Sequence, residues 1–66
     1  MTKSESREIF KARIVAPTMP ELAAMALATV HRSARRADTK AACELALTEC
    51  GLWHYVTERN GAIVPR

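Results

Sequence analysis

With two glycines, three aromatic residues and two cysteines in 66 positions, the chain has few of the side chains from which sites are usually built. No apolar run approaches the roughly 20 residues of a membrane span. No basic-then-apolar leader opens the sequence either, so a cytoplasmic protein with no membrane partner is expected. Cys43 and Cys50 stand seven positions apart. On one helix that spacing is about 10.5 Å of rise, too far for a mutual disulfide. They read as reduced thiols in a reducing compartment. The run from Cys43 through Cys50 to His54, with His31 elsewhere, matches no zinc pattern, which pairs ligands about two to four residues apart. A cysteine nucleophile needs an activating base and an open pocket, and both thiols fall on an apolar helix side. No metal, no cofactor and no enzymatic activity are expected.

The chain is rich in alanine instead, with twelve residues, and in arginine, seven of its ten basic side chains. Alanine gives helix propensity but little area to bury. A chain this short buries only about 60% of its unfolded surface, so a monomer is expected to be marginal. A hydrophobic content of 48% argues for a folded domain over disorder. The net charge of +3 is compatible with an acidic or nucleic-acid partner.

The centre of the sequence, Thr18 to Gly51, predicts two antiparallel helices. Thr18 with Glu21 forms a possible capping box, and Pro20 suits the first turn. The first of these helices runs to Arg35 and Arg36. Its expected buried side is Met19, Leu22, Ala23, Ala26, Val30, Ala34 and Ala37, with Leu27 at the margin. Asp38 is the expected cap of the second, Thr39–Cys50, which Gly51 ends in the left-handed conformation. Before them, Phe10, Ala12 and Ile14 alternate with Lys11 and Arg13 and predict a strand over Glu8–Val15. The order of charges, Glu5 and Glu8 ahead of Lys11 and Arg13, is that of a helix and supplies the alternative. After Gly51, Leu52–Thr57 and Ala62–Val64 read as strands joined by Asn60-Gly61, a type I′ hairpin signal.

The expectation is one domain over residues 1–66, with 1–7 frayed. Its fold class is α+β: a two-layer β-α-α-β-β arrangement, the helical hairpin packed on a small antiparallel sheet. The alternative is a three-helix bundle with a C-terminal β-hairpin.

The densest charge in the sequence is His31, Arg32, Arg35 and Arg36, with Lys40 across the turn and Met25 as an apolar contact among them. Such a cluster grips carboxylates or phosphates. A second surface is Ala41, Ala42 and Leu45, an apolar strip opposite Cys43, Leu47 and Cys50. One layer cannot cover both, so a homodimer through that strip is expected. In a monomer, Leu45 would have to pack against the N-terminal segment as a third helix. Trp53 and Tyr55, on one strand face, are expected in the core rather than as a base-stacking platform. Together these features predict a small basic modulator or inhibitor that docks on a larger host protein or nucleoprotein complex. A direct DNA- or RNA-binding regulator is the alternative. By analogy of size and type alone, phage and plasmid accessory proteins are of this kind.

Overall fold

Thr2 and Glu5 form a reciprocal cap at the start of the first helix. The Thr2 hydroxyl accepts the Glu5 N–H at 3.1 Å, and the Glu5 carboxylate accepts the Thr2 N–H at 2.9 Å. In the computed structural model, which describes residues 1–66, this cap opens α1, Lys3–Val15. The segment expected as a strand is therefore helical, and residues 1–7, expected to fray, carry the cap and first turns. The physical reason is visible in burial. Ile9, Ala12 and Ala16 share one helical face and are buried, while Phe10 and Ile14 of the alternating set point outward.

Pro20–Ser33 is α2 and Ala37–Glu49 is α3. The expected capping box at Thr18 does not form. Met19 holds the cap position, and the Thr18 hydroxyl donates instead to the carbonyl of Val15, at the end of α1, at 3.2 Å. At α3 the Asp38 carboxylate accepts the Thr39 N–H at 2.9 Å, one residue inside the helix rather than at its cap. The far end follows expectation. Gly51 takes φ +67°, Gly51 N–H donates to Thr48 and Leu52 N–H donates back to Leu47 at 2.8 Å. That pair of bonds satisfies two of the carbonyls a helix end leaves free.

Trp53–Tyr55 is a single 3-10 turn rather than strand, and it leads into β1, Val56–Arg59, paired antiparallel with β2, Ala62–Pro65. The two-residue turn has φ +53° at Asn60 and +79° at Gly61, as a type I′ hairpin requires. The fold is α+β, with the α2–α3 hairpin against a small antiparallel sheet. Its third layer partner is α1, so the three-helix alternative describes the element order better than β-α-α-β-β.

α2 is the hub. It packs against α1, α3, the 3-10 turn and both strands. Its buried residues are Ala23, Ala24, Leu27, Ala28, Val30 and His31, whereas Met19 and Leu22, expected inside, are exposed. Alanines allow this close approach of backbones on several sides. The expected aromatic core forms only in part: Leu27, Leu47, Leu52, Val56 and Ile63 fill the interior, Tyr55 is half-buried against it, and Trp53 lies outside with its indole N–H donating to the Thr48 hydroxyl at 2.8 Å.

Candidate docking surface

The outward face of α2 carries Leu22, Met25, Thr29 and Arg32 at spacings of three and four, one continuous ridge. Its N-terminal end is apolar. Leu22 is 53% exposed and Met25 is 45% exposed. With Met19, Pro20, Glu21 and Tyr55 they line a shallow groove of ≈ 440 Å³ between α2 and the 3-10 turn. On the α1 side, the neighbouring cleft is polar and includes Ser4, Glu5, Glu8 and Ser33.

The C-terminal end of the ridge is basic. Arg32, Arg35, Arg36 and Lys40 are all exposed and gather at the turn from α2 to α3. They are not equivalent. Arg32 Nη1 donates to the Ile63 carbonyl at 3.2 Å, which ties α2 to the hairpin. Arg36 Nε pairs with Asp38 at 3.3 Å. Arg35 makes no side-chain hydrogen bond and no ion pair.

His31 does not belong to this patch. It is only 4% exposed and lies beneath the ridge, with Nε2 3.0 Å from a carboxylate oxygen of Glu44 on α3. Its Nδ1 is buried without a partner. His31, Arg32, Arg35 and Arg36 lie close in the chain, but the 100° step from Arg32 turns His31 off the exposed flank and in toward Glu44 of α3. Met25 stands one end of the ridge away from the arginines rather than among them, separated by Thr29. The strip of Ala41, Ala42 and Leu45 is also divided. Ala42 is half-buried against the core, while Ala41 and Leu45 remain exposed. The residues missed from sequence are Leu22, Phe10 and Ile14, apolar side chains that read as core because of their type.

Cys43 is poorly placed for chemistry. Cys43 is fully buried, and that burial pushes its thiol up to about 11, with Glu5 and Glu44 acting in the same direction. A thiol held protonated is a poor nucleophile. No group of three or more His, Cys, Asp or Glu side chains is placed to hold a metal ion. No helix is long and apolar enough to cross a membrane. Comparison with known proteins found no matching family model, no matching curated protein and no matching solved structure.

Proposed function

We propose that this chain is a non-enzymatic binding module, a small basic modulator that docks on a larger protein of the cytoplasm through the outward ridge of α2. The observation that carries this reading is the polarity of the ridge. Leu22 and Met25 stand open at one end, and Arg35, Arg36 and Lys40 stand open at the other. The helix between Leu22 and Ser33 is about 16 Å long, a length suited to one partner helix or strand. The matching surface presents apolar side chains to the groove and carboxylates to the arginines. Methionine adapts its shape to such contacts at low cost, and arginine forks bind carboxylates in pairs. Docking of this kind would mask an acidic surface on the partner, including one that otherwise mimics or competes with nucleic acid.

The test uses the tagged protein against an extract of its source cells, with bound proteins identified by mass spectrometry. Two variants run alongside: Leu22→Gln with Met25→Gln, and Arg35→Gln with Lys40→Gln. A partner retained by the wild type and lost with both variants supports the reading. Retention by both overturns it. Binding of generic duplex or single-stranded oligonucleotides, weakening steeply as salt rises, would favour the nucleic-acid regulator instead.

A further inference from the structure

We propose that one whole end of the molecule grips the acidic partner, with Lys3 and Arg59 as binding residues beside Arg35 and Lys40. The proposal rests on docking through α2 and adds the chemistry of what is docked, an extended acidic segment of a protein.

Four segments bring their charges to this end. Glu5 meets Thr39 at 3.2 Å, so α1 and α3 start side by side. Ser4 and Glu5 share a cleft with Val30 and Ser33, which sets the start of α1 against the end of α2. The hairpin runs along α2 from base to tip. Tyr55, at its base, lines the groove with Leu22 and Met25 near the start of α2. The Ile63 carbonyl, close to the tip, accepts from Arg32 near the end of α2. The tip, residues 59–62, therefore lies at the same end as Lys3 and the α2–α3 turn.

The charge of the chain is concentrated there. Lys3, Arg32, Arg35, Arg36, Lys40 and Arg59 stand at this end with only three acids, Glu5, Asp38 and Glu58. The other four basic residues are matched by the other four acids, so the net charge of +3 belongs to one end. Two of the three acids are already engaged. Glu5 accepts from Thr2 and Thr39, and Asp38 accepts from Arg36 and Thr39. Lys3, Arg35, Lys40 and Arg59 are exposed, and none makes a side-chain hydrogen bond or an ion pair. Unpaired charges of one sign on one face attract an ion of the other sign from outside.

Carboxylates of a protein fit this end better than phosphates of a nucleic acid. Glu58 is exposed and unpaired beside Arg59, where it repels a phosphate backbone, while a protein segment can answer it with a lysine. Phe10, Trp53 and Tyr55 all lie elsewhere, so unpaired bases find no ring to stack on. Through Arg32 the end also continues into the ridge, whose open Leu22 and Met25 suit apolar side chains. The molecule measures 28 × 26 × 15 Å. An extended segment of about eight residues, at about 3.3 Å each, crosses an end of that width.

The test probe is fluorescein-labelled octaglutamate, titrated by anisotropy at physiological ionic strength, with circular dichroism to confirm that each variant is folded. The wild type is expected to bind, and more weakly as salt rises. Lys3→Glu with Arg59→Glu is expected to raise the dissociation constant about tenfold, as two exposed ion pairs are lost. Lys11→Glu with Arg66→Glu makes the same change in net charge beyond the screening distance of about 8 Å, and is expected to change binding less than about twofold. Equal weakening by the two pairs overturns the proposal, since net charge alone then governs. So does an eight-nucleotide oligonucleotide that binds more tightly than octaglutamate, or a wild type that binds neither. The docking reading fails or stands apart from this. A partner from the cell extract that is lost with Leu22→Gln and Met25→Gln, yet retained by Lys3→Glu with Arg59→Glu, keeps the docking and overturns the acidic grip.

Discussion

The Thr39 hydroxyl donates to the Glu5 carboxylate at 3.2 Å, and the same oxygen accepts the Thr2 N–H. A residue from the first turn of α3, fully buried, is thus tied to the cap of α1. One carboxylate serves two helix starts 34 residues apart.

Acid should undo this junction. The Thr2 N–H is the main cause that holds Glu5 below its ordinary value of 4.5, with the Thr39 and Thr2 hydroxyls helping and burial opposing. Asp38 is likewise lowered from 3.8, chiefly by its hydrogen bond from the Met1 amino group. A lowered carboxyl adds stability that is complete above its unfolded value and is lost as pH falls through the lower, folded one. The thermal midpoint is expected to hold steady above pH 4.5 and to fall below it. Glu5→Gln should lower the midpoint at neutral pH and flatten the acid limb. An acid limb as steep in Glu5→Gln as in the wild type would assign it to other carboxylates.

The hairpin turn gives a second prediction. Gly61 holds φ +79°, and a Cβ added there meets nothing within 4 Å. The cost of replacing it is therefore backbone strain alone, about 1–2 kcal/mol. For a domain of this size that lowers the thermal midpoint by about 4–8 °C for each kcal/mol. Gly61→Ala and Gly61→Val should both show it, the latter more, and an unchanged midpoint in both would count against the left-handed assignment.

The arginines should separate into structural and free. Arg32→Gln removes a donor from the Ile63 carbonyl and is expected to cost about 0.5–1.5 kcal/mol. Arg35→Gln breaks no contact and should leave stability within about 0.5 kcal/mol of the wild type. Chemical denaturation of the two variants checks this, and equal stability would show that the bond to the hairpin contributes nothing.

The thiols offer a fourth check. Cys43 is fully buried with its thiol raised to about 11, whereas Cys50 is half-buried at the helix end. A thiol reagent at pH 8 should modify one cysteine per chain quickly and the second only as fast as the protein unfolds. Peptide mapping should place the fast site at Cys50. Two equally fast thiols would mean that the α2–α3 seam opens readily.

The parts of the fold written in backbone demands were legible. Asn60-Gly61 and Gly51 needed positive φ, Pro20 needed a first turn, and each stands where it was expected. Less legible were the faces. The 100° step puts Met19 and Leu22 on one side with Ala23, but the buried face of α2 is turned toward Ala23, Ala24, Leu27 and Ala28 and leaves those two outside. Side-chain size is a poor guide to burial when helices approach through alanine. The alternation in α1 imitates a strand because it mixes a buried Ala12 with exposed Phe10 and Ile14. The Thr2–Glu5 spacing was the signal that would have corrected it.

The same limits apply to the site. Arg35, Arg36 and Lys40 were legible as exposed cations, since a turn between helices leaves them nowhere else to go. His31 was not, because its burial depends on how far α3 approaches, and that distance is set by residues on another element. Leu22 was missed for the complementary reason, an apolar side chain left outside.

Ala23, Ala24, Ala28 and Ala46 are each completely buried, at the seams where the helices meet. These four positions have almost nothing to lose by truncation and very little room for growth. In a library of random substitutions, the intolerant positions should be those where any enlargement is harmful. Each added methylene group or branch there forces the helices apart at a cost of about 1–3 kcal/mol. On the helices, then, side-chain size is no measure of replaceability: these four alanines stand with Leu27 and Leu47 among the least replaceable positions, and Phe10, the largest apolar side chain on α1, stands among the freest in an isolated chain.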